Sequence, residues 1–362
     1  MLTDSFGRTL DYLRVSVTDR CNFRCVYCMP PEGVEWKPHG TMLSFEEILR
    51  VVGIMAGLGI RKIKVTGGEP LVRRGVAAFI KKLKAIPGIE KVTLTTNGFF
   101  LAAYLDEAEK LNALPNGVNI SLDALDPGRF ARIARCGETG HVGTCNGETL
   151  DGKTRTGSGG RSSGYAGPAE ILLLVDRLLE KGIPVKLNCV PIRTFNEDDI
   201  LPLAALARDK DIAIRFIELM PLGSAAALQP VPGPEVASLI EKAFGPLEPF
   251  AGILGSGPAV YYSLSGFTGK IGLIDAVSHG FCETCNRLRL TSEGLLKLCL
   301  SNDLSLDIRE LLRGGASGEE LVRAIGGAVI KKPRFHNFSG IYGARPEEIK
   351  GRHSGGMFGI GG

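Results

Sequence analysis

Residues 13–30 read LRVSVTDRCNFRCVYCMP, and the reading of this stretch decides the fold. The apolar run at 13–17 has the length and branched side chains of a β-strand. It leads directly into Cys21, Cys25 and Cys28, spaced C-x3-C-x2-C. Three thiolates on a short loop can hold three irons of a four-iron, four-sulfur (4Fe–4S) cluster, which normally takes four cysteines. The missing fourth ligand leaves one iron open, in the way a catalytic zinc keeps an open position. In parallel α/β sheets and barrels, ligands bind at the C-terminal ends of the strands. A thiol triad at the end of the first strand therefore marks the end of the sheet that carries the chemistry.

Outward from this stretch, apolar runs and helical patterns alternate. Strands are expected at 63–66, 92–95, 118–122, 185–190 and 213–219. Helices are expected at 44–58, 76–83, 101–111 and 170–181, and after Asn196, which can cap the last. Ser44 and Glu47 form a capping box for the first helix, and Gly59 stops it. Six such repeats argue for an α/β fold with a parallel sheet and crossover helices. The sheet could close as a partial barrel or lie open as a doubly wound sheet; periodicity does not choose.

Two segments break the pattern. Residues 136–167 are crowded with Gly, Ser and Thr and read as a surface insertion. Its Cys136, His141 and Cys145 are expected to be incidental in an exposed loop, against the alternative of a third metal site. Residues 221–235 read as a linker. The expected organisation is a domain over 1–235, a smaller region over 236–337 and a tail over 338–362 ending in Gly361 and Gly362.

The chain has 362 residues, 44% hydrophobic and 23% charged, which suits a globular protein of about two domains. The net charge of +4 is compatible with an acidic small-molecule substrate, and the chain has no dense Lys/Arg run of the kind that marks a nucleic-acid partner. No stretch approaches the ~18 apolar residues of a membrane span, and the charged N-terminus argues against a secretory signal. Six of the nine cysteines fall into two tight groups, which reads as metal ligation in a reducing, cytoplasmic setting rather than disulfides. Cys189, inside a strand, reads as a small core residue.

Cys282, Cys285 and Cys299 form the second group, C-x2-C-x13-C. A zinc knuckle is the alternative, but no fourth Cys or His stands at an obvious spacing. Thr66-Gly67-Gly68-Glu69-Pro70 follows another strand; its glycines would let backbone approach a ligand closely, and Glu69 offers a carboxylate.

The C-x3-C-x2-C loop, Tyr27 just before its last cysteine and the TGGEP string together resemble the radical S-adenosylmethionine (SAM) superfamily. The resemblance implies a partial (βα)6 TIM-like barrel, with a smaller C-terminal cluster-binding region. It implies that SAM chelates the open iron, near Tyr27, Gly68, Glu69, Ser121 and Met220. The strings KVTGGEPLVRR, LTTNG, ISLDAL, RFIELM and FCETCNRLRLTSEG, with the second cysteine group and the terminal Gly-Gly, narrow the resemblance. They are similar to the GTP 3′,8-cyclase (MoaA) family of molybdenum cofactor biosynthesis, over nearly the whole chain except 136–167.

That resemblance implies two 4Fe–4S clusters, the second held by Cys282, Cys285 and Cys299. It implies GTP contacts at Arg14, Lys64, Thr95, Lys186, Arg215, Arg287, Leu288 and Arg289. It gives Arg14, Arg287, Arg289, Gly361 and Gly362 a part in catalysis beside Cys21, Cys25 and Cys28. Lys64 stands where related sequences often carry Arg, which keeps the charge but loses the bidentate fork. The implied reaction cleaves SAM reductively, takes the 3′ hydrogen of GTP and joins C3′ to C8. Its partners would be an external electron donor and a downstream cyclic pyranopterin monophosphate synthase, and the family leaves a homodimer open. Two rivals stand beside it: a peptide maturase of the same superfamily, which would usually carry more C-terminal cysteines, and a non-catalytic zinc- or iron–sulfur-binding protein, which leaves TGGEP unexplained.

Overall fold

The computed structural model describes residues 1–136, 167–336 and 338. The core strands alternate strictly. In β1 (Tyr12–Ser16), Leu13 and Val15 are fully buried while Tyr12 and Arg14 turn the other way. After α1 (Phe45–Leu58), β2 (Lys62–Thr66) buries Ile63 and Val65 and turns Lys62 and Lys64 inward. After α2 (Val76–Lys84), β3 (Lys91–Thr96) buries Val92 and Leu94 against Thr93 and Thr95. The strand–helix succession continues through α3 (Leu101–Lys110), β4 (Val118–Ser121), α4 (Pro127–Ala134), α5 (Pro168–Glu180), β5 (Val185–Cys189), α6 (Ile200–Asp209) and β6 (Ala213–Ile217). Each apolar face packs under the crossover helices, where a fully buried Val, Leu or Ile contributes about 1.5–3 kcal/mol.

After α7 (Gly233–Phe244), the chain adds β7 (Glu248–Pro249), β8 (Val260–Ser263) and β9 (Lys270–Ile274) at the β6 edge, β9 being parallel to β6. It then adds β10 (Arg287–Leu290), β11 (Leu295–Lys297) and β12 (Ser305–Asp307) at the β1 edge, β10 being parallel to β1. Two helices, α8 (Ile308–Arg313) and α9 (Gly318–Val329), follow. The order is β12-β11-β10-β1-β2-β3-β4-β5-β6-β9-β8-β7, so the parallel run from β10 to β9 does not close on itself. Inward side chains from all eight parallel strands nevertheless line one cavity. A flat sheet would spread them over more than 30 Å at about 4.8 Å per strand. The sheet is therefore curled into an open barrel, as the radical SAM resemblance implies, rather than doubly wound.

The capping box of Ser44 and Glu47 forms as expected, and Gly59 ends α1 in the left-handed region at φ 115°. Asn196 departs from expectation. It is fully buried, and its amide donates to the carbonyls of Asp123 (2.8 Å) and Val190 (3.0 Å) while its Oδ1 accepts from Ile192 N. It braces the ends of β4 and β5 instead of capping a helix, because three backbone groups there need a partner out of water. Cys136 also departs: it is buried at the end of α4, not in an exposed loop. Cys189 is buried as expected, whereas His141 and Cys145 lie outside the described residues.

Candidate active site

The cavity has a volume of about 310 Å³ and runs the height of the strands. At the C-terminal end of β1, Cys21, Cys25 and Cys28 line it. Their loop is strapped to α4: Arg24 N donates to Ala134 O (3.0 Å) and Val26 N to Ile133 O (2.9 Å). Burial pushes all three thiols up, Cys28 to about 12, with Asp123 adding to the rise at Cys25 and Cys28 and Glu69 at Cys21. Buried thiols beside carboxylates become thiolates only against a positive charge, so this donor set fits a cationic iron cluster. Among the described residues, no three His, Cys, Asp or Glu side chains are drawn together closely enough to hold a single metal ion.

Tyr27, Gly68, Glu69, Ser121 and Met220 line the same cavity. The two glycines have a use that the sequence reading missed. A Cβ on Gly68 would lie 2.4 Å from Arg20 O, and one on Gly67 would lie 2.9 Å from Thr18 O. Gly68 N donates to Thr18 O (2.7 Å) and Glu69 N to Arg20 O (2.8 Å), so this turn clamps the start of the cysteine loop. The Glu69 carboxylate accepts from Leu71 N (3.0 Å), Thr96 Oγ1 (2.7 Å) and Asn97 N (2.7 Å). Burial still raises it to about 7. Asp123, which the sequence reading did not single out, accepts from Tyr27 Oη (2.8 Å) and Val190 N (2.8 Å), and burial raises it to about 6. Its sequence signal was a carboxylate just past the end of a strand.

The middle and lower cavity is cationic. Arg14 stands in register with Lys64 on one side and Arg289 on the other. Like charges directly opposed on neighbouring strands destabilise a sheet. Burial, followed by Arg215, Arg14, Lys186 and Lys91, pushes the Lys64 amine well below its ordinary value. Burial, then Arg287 and Arg215, brings Arg14 down to about 10 against the raising effect of Tyr12; burial, then Arg215 and Lys91, brings Lys186 to about 7. Arg289 is pushed well down by burial and by Arg14 and Arg287. Such a concentration of cationic side chains suits an anionic ligand. Arg215 is aimed by Asn188, whose Oδ1 accepts from Nε (2.9 Å) and Nη2 (2.5 Å); Asn119 similarly donates to Thr95 Oγ1 (3.1 Å). Both asparagines were legible only as polar positions in the strand alternation.

Of the expected substrate contacts, Arg14, Lys64, Thr95, Lys186, Arg215, Arg287 and Arg289 all line the cavity. Leu288 does not. The period of two turns it to the outer face, where it is fully buried in the core, so only its backbone is left to face substrate.

Cys282, Cys285 and Cys299 are not in the cavity lining, but their near neighbours in the chain, Phe281, Arg287 and Leu300, are. The Arg287 guanidinium sits 4.6 Å from the Phe281 ring centroid. Arg8, paired with Asp4 in a buried ion pair (2.6 Å), donates to Cys282 O (2.7 Å), Pro333 O (2.7 Å) and Arg334 O (2.9 Å). It ties the two ends of the described chain to the second triad. Burial raises the Cys285 thiol, but Lys332, Arg287 and Arg8 outweigh it and the net shift is downward. Three thiols amid buried cations fit a second metal centre. Gly361 and Gly362 lie outside the described residues.

The curled sheet with three thiols at the end of its first strand defines the radical SAM class. The Radical SAM superfamily model matches residues 15–207, and the Molybdenum Cofactor Synthesis C model matches 212–338. The fold is similar to that of Streptococcus suis SuiB bound to S-adenosylmethionine, with a TM-score of 0.56 at 13% identity over 93% of this chain and 78% of that one. The GTP 3′,8-cyclase of Moorella thermoacetica is 42% identical over 338 residues, covering 93% of this chain and 95% of the relative. That of Clostridium perfringens strain 13 is 40% identical over 337 residues with the same coverage. The chain belongs to the GTP 3′,8-cyclase family. Among the described residues, no helix is long and apolar enough to cross a membrane.

Proposed function

We propose that this protein is a radical SAM GTP 3′,8-cyclase that carries out the first step of molybdenum cofactor biosynthesis. One observation carries the reading: a single cavity holds a half-buried thiol triad at one end and crowded cations on its walls and floor. The thiol end suits a cluster with SAM, and the cationic part suits the triphosphate of a nucleotide. The relatives that match along 93% of the chain carry the cyclase name, which gives the peptide-maturase alternative no support.

In this reading Cys21, Cys25 and Cys28 hold one 4Fe–4S cluster and Cys282, Cys285 and Cys299 a second. Bound SAM and the first cluster supply hydrogen-abstracting radical chemistry. The chain's own part is to hold and exclude. Arg14, Lys64, Lys186, Arg215 and Arg289 fix the triphosphate, which sets the ribose at one height in the barrel. The Tyr27–Asp123 bond shapes the wall beside Cys28. The apolar packing outside the strands keeps water from entering through the sheet wall. Gly361 and Gly362 keep in this proposal the part in catalysis that the family resemblance gives them. Phe338 is buried against Leu222, with Met220 and Leu300 of the cavity wall packed beside it, so the tail begins close by.

An external electron donor and a downstream cyclic pyranopterin monophosphate synthase complete the reaction sequence. A cytoplasmic location and assembly as a homodimer belong to the same proposal. The test is an anaerobic assay of reconstituted protein with SAM, a reductant and GTP, read by mass spectrometry. Deoxyadenosine formed together with a cyclised GTP product, and not with ATP in its place, is the expected result. SAM cleavage with unchanged GTP would overturn the substrate assignment and leave the radical SAM class standing.

A further inference from the structure

The floor of the cavity is closed by an element outside the six strand–helix repeats. Residues 254–258, Leu-Gly-Ser-Gly-Pro, join β7 to β8 and line the cavity beside Lys91, Asn116 and Pro184 at the N-terminal ends of the strands. Two features show that the loop is fitted to the cations. Lys186 Nζ donates to Leu254 O, and the same amine lies 5.5 Å from the Tyr261 ring centroid at the start of β8. Gly255 takes φ +152°, a conformation that L side chains rarely adopt, and a Cβ there would lie 2.7 Å from Lys186 Nζ. A side chain at 255 would strain the backbone and push the end of Lys186 aside.

The loop also carries backbone donors from which no described residue accepts, the N–H groups of residues 253–257. Free N–H groups on a glycine-rich loop, next to lysine and arginine, form the kind of concavity that takes phosphate. The orientation follows from the charges. The thiol triad and the carboxylates Glu69 and Asp123 occupy the opposite end, so a nucleotide whose sugar reacts there directs its last phosphate to the floor.

We propose that loop 254–258 clamps the terminal phosphate of the nucleoside triphosphate and sets the preference for GTP over GDP. The proposal rests on the cyclase reading and deepens it. The N–H groups meet the terminal phosphate oxygens, and Lys186, pinned to Leu254 O by one proton, has two further protons to offer. A diphosphate bound by the same sugar contacts stops short of the loop and leaves these donors to water.

The experiment is equilibrium binding of GTP and GDP to the anaerobically reconstituted holoenzyme, comparing wild type with Gly255→Ala and Gly257→Pro. Gly255→Ala strains the loop and displaces Lys186 Nζ. Gly257→Pro deletes one N–H outright at a position where an added Cβ meets nothing within 4 Å. Loss of one charge-assisted hydrogen bond should weaken GTP about tenfold, while GDP binding stays within about twofold and doubles as the check on folding. Equal weakening of GTP and GDP in both variants, no weakening in either, or no GTP preference in the wild type overturns the clamp. A wild-type holoenzyme that binds neither nucleotide overturns the cyclase reading itself, which separates that failure from failure of the clamp.

Discussion

Replacing Lys64 by methionine should stabilise the nucleotide-free protein and weaken GTP binding at the same time. Lys64 is paired in register with Arg14, which is itself paired with Arg289. With strands about 4.8 Å apart, the charged ends of two such neighbours lie roughly 6 Å apart. At an effective dielectric constant of about 20 they repel by about 3 kcal/mol, and cavity water screens part of this. Methionine keeps the stem volume and removes the charge, so a gain of about 1–2 kcal/mol is expected. In a chain of this size that is a rise of several degrees in melting temperature, at ~2–4 °C per kcal/mol. GTP binding should fall tenfold to about a hundredfold, the worth of one charge-assisted contact. The assay is anaerobic thermal melting of wild type and Lys64→Met, with and without GTP, at about 0.05 and about 0.5 M salt. A variant that melts lower than wild type without nucleotide, or that keeps the full GTP-induced shift, would show that these cations are satisfied structural charges and not an anion site.

Three further outcomes are expected. Lys186 titrates near 7 when folded, below its ordinary range, so between pH 7 and about 10 the unfolded chain binds more protons and the nucleotide-free fold gains stability as pH rises. GTP favours the protonated amine, so its affinity should fall above pH 7; titration calorimetry at several pH values checks this, and Lys186→Gln should flatten the profile. Asn196→Ala strands the carbonyls of Asp123 and Val190 and the N–H of Ile192; it should lower stability by about 2–4 kcal/mol in denaturant unfolding, and a near-neutral effect would refute the bracing role. Cys25→Ala and Cys285→Ala should each remove roughly half the iron on reconstitution, by metal analysis, with SAM cleavage lost only in the first; full iron in either would refute the two-cluster assignment.

The strand alternation makes much of the site legible in the sequence. Leu13, Val15, Ile63 and Val65 mark one face, and Arg14, Lys64, Thr95, Lys186 and Arg215 mark the other, because the side-chain period of a strand is two. Periodicity could have warned that Leu288, between Arg287 and Arg289, points into the core. It could not show that β10 pairs with β1, since that register joins residues far apart in sequence. Asn196 reads as a helix cap because caps are local, whereas its partners at Asp123 and Val190 lie on other elements.

The sequence alone determined the chemistry. The spacings of Cys21, Cys25, Cys28 and of Cys282, Cys285, Cys299, the TGGEP turn and the basic residues on alternate strand positions are covalent facts that folding cannot alter. The tertiary structure decided what that chemistry faces. It curled the sheet so that eight strands share one cavity, laid Gly68 against Arg20 to clamp the cysteine loop, and brought the loop at 254–258 under Lys186. These contacts depend on curvature and on which strand lies at each edge. Both are set by packing over the whole chain, and neither is written in any local pattern of residues.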